Sequence, residues 1–201
     1  MTYLETLDDL AALYGRPGPA ATRKVAAALT PEYRDWIMSS RFAVLTTVGP
    51  EGTDGSPRGD DGPVVRALDD QTLALPDWSG NNRIDSLRNI IRDPRVSLMF
   101  MVPGSNNVIR VNGTARISAD QALCQQFAMN GKLPRTVVVI RIAEVYSQCA
   151  RALMRARLWT AGDESAGLPS VGAILHAMTA GEINGAEYDA VWPGRAAESM
   201  W

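Results

Sequence analysis

Apolar and polar positions along the chain fall into short blocks with two different periods. Residues 42–48, 64–68, 72–76, 96–102, 108–117 and 136–145 are apolar runs bounded by Gly, Pro, Asn and Asp, the pattern of strands joined by turns. The run at 136–145 is β-branched at successive positions, as in a strand with both faces covered. Residues 49–55, GPEGTDG, form a turn-rich link that closes a hairpin. After it, SPRGDDG at 56–62 places a proline, an arginine, two aspartates and two glycines where a second strand should lie. Proline cannot donate to a central ladder and glycine weakens one, so this segment is expected at a bulge or sheet edge.

Elsewhere the period is helical. Leu4, Leu7, Leu10, Ala11 and Tyr14 share one face, ended by glycine and proline at 15–19. Thr30-Pro31-Glu32 reads as cap, first-turn proline and first-turn acid of a helix to about Ser39 that buries Tyr33, Trp36 and Ile37. Ile84, Leu87, Ile90 and Ile91 predict a helix from Arg83, capped by Asn81 or Asn82 and stopped by Asp93 and Pro94. Leu123, Phe127 and Ala128 predict another over 119–129. A helix over 146–159 would set Arg151, Arg155 and Trp159 four residues apart, with Arg157 beside them. Residues 168–179 open on a Pro-Ser turn and continue as a short helix with His176 near its end, the place of a dipole or surface residue. Residues 181–201 lack a clear period and read as a loosely ordered tail laid over a neighbouring subunit.

Composition narrows the function classes. At 201 residues and 46% hydrophobic content the chain suits one domain, 1–201, with no repeat or linker. Twenty basic against 22 acidic residues leave a formal charge of −2, so no global field recommends nucleic acid or an anionic membrane. No apolar run approaches the roughly 20 residues that span a bilayer, and the acid-bearing start is unlike a signal peptide. A soluble cytoplasmic protein is expected. Cys124 and Cys149 read as two small buried thiols, and a single histidine supplies metal chemistry poorly.

The candidate chemistry is anion binding. The turn 77–82 leads into a helix whose free N–H groups and positive dipole end lie beside Arg83 and Ser86, a common way to build a phosphate site. Simple capping by Asn and Ser explains the same residues equally well. Arg58 is the natural anion or carbonyl partner on the preceding strand, and Arg66 either reaches the same anion or stands on an outer face. No G-x-G-x-x-G opens a helix, and no P-loop lysine is present.

Four segments in order, SPRGD at 56–60, PDWSGNNRIDS at 76–86, VNGTA at 111–115 and CARALMRARLW at 149–159, resemble the pyridoxamine 5′-phosphate oxidase-like FMN-binding split-barrel flavoproteins. The resemblance implies an α+β fold, mainly β with peripheral helices: a six-stranded antiparallel split β-barrel of FMN-binding type. N-terminal helices would occupy about 1–40, and a helical or irregular extension about 146–201. It implies FMN as cofactor, with the deazaflavin F420 as alternative, held by Ser56, Arg58, Gly59, Asp60, Pro76, Asp77, Asn81, Asn82, Arg83, Ser86, Arg155, Arg157 and Trp159. Arg83 would be a principal phosphate partner. It implies a homodimer with cofactor sites at the subunit interface and an oxidoreductase acting on a small molecule, with no catalytic residue identified. A non-catalytic flavin-sequestering protein is the alternative. The subgroup often has a histidine before the cysteine of the last motif; Gln148 stands there, which argues against histidine-dependent chemistry.

Overall fold

There are seven strands, all but β2 on the apolar runs: β1 (Phe42–Gly49), β2 (Gly52–Gly59), β3 (Arg66–Ala67), β4 (Thr72–Asp77), β5 (Arg95–Met101), β6 (Val108–Ser118) and β7 (Thr136–Gln148). The computed structural model describes residues 1–200. All strand pairs are antiparallel, in one sheet ordered β2-β1-β5-β6-β7-β4-β3. The alternation predicted from sequence appears directly: Ala43, Leu45 and Thr47 of β1 and Val96, Leu98 and Phe100 of β5 point into the core.

The expected six strands become seven because β2 forms a full strand over Gly52–Gly59, while the strand expected over 64–68 shrinks to the two-residue β3, which pairs Arg66 with Ala74 and Ala67 with Leu73. Because β3 stops at Ala67, Leu68 begins the turn to β4 and is 43% exposed instead of joining the core. The second strand starts earlier than the composition suggests. Gly49 faces Gly52 across a tight turn, and β2 then pairs with β1 along its whole length up to Gly59. β2 is an outer strand, so Pro57 removes no needed ladder donor. In VNGTA the register shifts at Asn112/Gly113, and a Cβ on Gly113 would lie 2.0 Å from the Arg141 carbonyl oxygen. Glycine is required there by the close passage of β7.

The main core fills the barrel with Leu45, Leu73, Phe100, Val111 and Ile140, joined by Ile37 from a helix packed outside the sheet. Two short helices, α1 (Leu7–Leu13) and α2 (Pro19–Arg23), bury no residue. In α3 (Pro31–Met38) the Thr30 hydroxyl accepts from the Tyr33 N–H, as the cap reading requires. The helix α4 (Asp85–Arg92) follows β4. The helix expected over 119–129 is only α5 (Gln121–Gln125), since Phe127 and Ala128 bond three residues back and tighten the last turn. Beneath it Cys124 and Phe127 pack on Ala74 and Val137, a second small core on the outer face of β4 and β7.

Three expectations at the C-terminal end fail. Residues 146–148 continue β7, which pairs Gln148 with Val108, so the basic helix shrinks to α6 (Arg151–Ala156) and ends at Arg157 with φ 50°. The stripe of Arg151, Arg155 and Trp159 therefore does not form. Cys149 is exposed, not buried. The presumed tail folds as α8 (Gly185–Ser199) against α7 (Val171–Met178). Its apolar period is weak, but Asn184 caps it through the Glu187 N–H, and Gly172 and Gly185 let the backbones meet. Asp189 accepts from the Gly172 N–H and the Ser170 hydroxyl. His176 stands on the α7 surface, its Nδ1 3.1 Å from the Ile183 carbonyl oxygen. Among the described residues no helix is long and apolar enough to cross a membrane.

Candidate active site

Strand period places Asp54, Ser56 and Arg58 on the half-buried face of β2. They look toward the end of β4 and the start of α4. Arg58 Nη1 donates to Asp77 Oδ1 at 2.7 Å, both side chains being less than one-fifth exposed. Arg58 Nε is buried and has no partner. Just beyond the strand, Asp60 accepts from the Trp78 indole N–H at 2.9 Å with one oxygen and from the Asp61 N–H at 2.8 Å with the other. The Ser86 hydroxyl donates to Asp54 at 2.6 Å.

Arg58, Gly59, Asp60, Pro76, Trp78 and Gly80 line a cavity of about 230 Å³ beside the Arg58–Asp77 and Asp60–Trp78 links. A second cavity of about 850 Å³ shares Gly59, Asp60 and Trp78 with it, then extends past Asn81 to Tyr188, Trp192 and Arg195 of α8.

The start of α4 differs from the expected capped turn. Asn81 Oδ1 accepts from the Arg83 N–H, and Asn82 Oδ1 accepts from Arg135, so neither asparagine caps the helix. The cap position is Ile84, in the left-handed region at φ 51°, and no side chain bonds the first turn. A β-branched residue there stores strain on the order of 1–3 kcal/mol, of the kind that gathers at functional sites. The helix consequently starts at Asp85, two residues later than predicted. Its face rotates: Ser86, Asn89 and Ile90 are buried, while Ile84 and Ile91 are exposed. Asn89 is fixed by donating to the Thr47 hydroxyl. The first-turn N–H groups and the positive dipole end remain available to an anion.

Charge decides where such an anion can sit. The charge of Arg58 is spent on Asp77, and Asp60 lines the small cavity, so that cavity disfavours a phosphate. The uncapped α4 start carries Arg83, which is largely exposed and bonded to Asp85.

Of the residues singled out from sequence, Arg58, Gly59, Asp60 and Pro76 line the smaller cavity; Asp77 touches it only through Arg58, and Ser56 and Ser86 line neither cavity. Asn81 lines the larger cavity, and Asn82 and Arg83 stand on the loop at its edge. Arg155, Arg157 and Trp159 line neither cavity. Trp159 donates to the Ser105 carbonyl at 2.8 Å, Arg157 lies 3.9 Å from Glu164, and Arg155 is exposed. Arg66 is also elsewhere, bonded to the Gln126 carbonyl and lying over the Phe127 ring. Sequence reasoning missed Asp54, which the two-residue period from Arg58 and Ser56 would have revealed. It also missed Trp78 as a wall, and Tyr188, Trp192 and Arg195, whose i, i+4, i+7 spacing marks one face of α8 within a segment read as a tail.

Residues 29–149 match the family model described as pyridoxamine 5′-phosphate oxidase. The chain belongs to the pyridoxamine 5′-phosphate oxidase family. Solved structures similar to it include HupZ of Group A Streptococcus, at 22% identity over 59% of this chain and 93% of that one, with a TM-score of 0.49. Others are an FMN-binding protein of Syntrophomonas wolfei (13%; 59% and 87%; 0.46) and general stress protein 26 of Bacillus anthracis (20%; 56% and 88%; 0.44). No curated protein matches the sequence. The family match includes β1 to β7 and the cleft, and excludes α8.

Proposed function

We propose that this member of the family is a cytoplasmic FMN-dependent oxidoreductase acting on a small molecule. The observation that carries the reading is Arg58: a guanidinium held in place by Asp77, lining the cleft, with one buried donor unspent. A buried unsatisfied donor calls for an explanation, and a carbonyl or ring nitrogen of a bound flavin supplies one. The residues fit the group in two parts. Arg58 and Ser56 would hold the ring, whose polar edge is neutral and tolerates the neighbouring carboxylates. The uncapped α4 start, with its first-turn N–H groups and Arg83, would hold the phosphate, apart from the Arg58–Asp77 pair; the Ser86 hydroxyl beside it is turned to Asp54 and would have to leave that carboxylate to reach the anion. When bound, FMN supplies the electron-accepting chemistry; the chain positions it and shields it from water.

Arg155, Arg157 and Trp159 serve such a site only from a second copy, which makes the homodimer part of the proposal. Neither nucleic acid nor membrane has a role in it. The deazaflavin F420 is the alternative cofactor on the same cleft.

A sequestering protein without turnover is the second reading, favoured by one observation: Asp54, Asp60 and Asp77 each accept a hydrogen bond within the chain, leaving no idle base among these three carboxylates. Anaerobic reduction of the FMN-loaded protein by NADH or NADPH, followed by substrate-coupled reoxidation, separates the two. The oxidoreductase reading expects both half-reactions. Flavin that binds but accepts no electrons from either donor overturns it.

A further inference from the structure

The larger cavity is built from two walls of different origin. One is the loop wall of Asp60 and Trp78. The other is α8, where Tyr188 and Trp192 stack with ring centroids 6.1 Å apart and planes within 10° of parallel. Arg195 lies over both rings, 5.3 and 5.5 Å from their centroids. Its guanidinium makes no salt bridge among the described residues. On the facing wall both Asp60 oxygens are already engaged, and the Trp78 indole N–H is spent on Asp60, so that wall offers a ring face more than a hydrogen-bonding edge. Asp61 is exposed.

We propose that this cavity is a binding site for a planar aromatic molecule bearing a carboxylate. The ring lies between the Trp78 wall and the Tyr188–Trp192 wall, and the carboxylate pairs with Arg195. A cavity of about 850 Å³ suits a small-molecule ligand. Aromatic faces favour a flat apolar body, and a guanidinium with free donors selects a carboxylate geometrically. α8 lies outside the family match, so this wall belongs to the chain's own C-terminal extension. As the substrate side of the proposed oxidoreductase, the assignment rests on that reading; as a ligand site, it stands on the cavity alone.

The test is calorimetric titration of the full chain, without flavin and loaded with FMN, using 2-naphthoate, 2-naphthylmethanol, 2-naphthylmethylamine and cyclohexanecarboxylate. The expected result is that 2-naphthoate binds at least about tenfold tighter than the other three, the gain of a charge-assisted pair on a stacked ring. In Arg195→Ala the preference over the alcohol disappears, in Arg195→Lys part of it returns, and FMN affinity is unchanged in both. No binding of 2-naphthoate, preference for the amine, or an Arg195→Ala variant identical to the parent overturns the proposal. Loss of FMN binding in Arg195→Ala also overturns it, because Arg195 would then serve the cofactor. If FMN fails to bind but the Arg195-dependent preference persists, the oxidoreductase reading falls and the ligand site stands.

Discussion

Arg58 Nη1 and Asp77 Oδ1 stand 2.7 Å apart, and this pair ties the outer strand β2 to the last residue of β4. The sheet has no backbone ladder between those strands, so side chains close it there. Both groups are mostly shielded from water, and removing one leaves the other charged and unpaired. Asp77→Ala should cost about 2–3 kcal/mol in urea unfolding, while Arg58→Met with Asp77→Leu should recover much of that loss. An Asp77→Ala protein as stable as the parent would mean the pair closes nothing.

Gly113 is the position least able to accept a side chain. The clash of its Cβ is with the Arg141 backbone oxygen, which cannot swing aside as a side chain would. Gly113→Ala should destabilise by about 3 kcal/mol, whereas Gly55→Ala, with open space around its Cβ on the outer strand, should be close to neutral. Equal thermal midpoints for the two variants would refute the account of the bulge.

Asp93 gives the clearest pH signature. Hydrogen bonds from the Arg95 side chain and from its backbone N–H lower the Asp93 carboxyl from 3.8 to about 2. Because the folded value lies below the unfolded one, the contribution to stability is fully present above pH 3.8 and is lost as pH falls through about 2. Carboxyl NMR titration should show that low midpoint, and Arg95→Ala should return it toward 3.8. A midpoint that ignores Arg95 would contradict the assignment.

What could be read in the sequence was what local chemistry dictates. The cap at Thr30, the alternation in β1 and β5, and the edge placement of the Pro57 strand follow from single residues and short periods. The parts that escaped depend on contacts distant in sequence. β7 continues to Gln148 because β6 pairs with it, and α8 is helical although Pro193 interrupts it, because α7 meets it at Gly172 and Gly185. The α4 start escaped for another reason: nothing in a run of Asn-Asn-Arg-Ile announces that isoleucine takes the cap position, left-handed like Asn82 two residues before it. The cleft residues on β2 and β4 were legible; the wall contributed by α8 was not.

The dimer proposal makes its own prediction. If Arg157 serves the cofactor of a second copy, Arg58→Ala and Arg157→Ala chains are each impaired in FMN binding, but mixed dimers regain one intact site of two. Refolding the two variants together should restore about half the flavin sites in mixed dimers. Sedimentation of the parent as a monomer at micromolar concentration, or no restoration on mixing, would remove Arg157 from the site.

The most direct test of the cleft is a paired titration of the parent and Arg83→Ala with FMN and with riboflavin, which lacks the phosphate. The account predicts that the parent binds FMN at least about tenfold more tightly than riboflavin, since a charge-assisted contact contributes about 1.5–3 kcal/mol. Arg83→Ala should lose roughly that margin for FMN and leave riboflavin nearly unchanged. A parent protein that takes up neither flavin, or that binds both equally, would contradict the account.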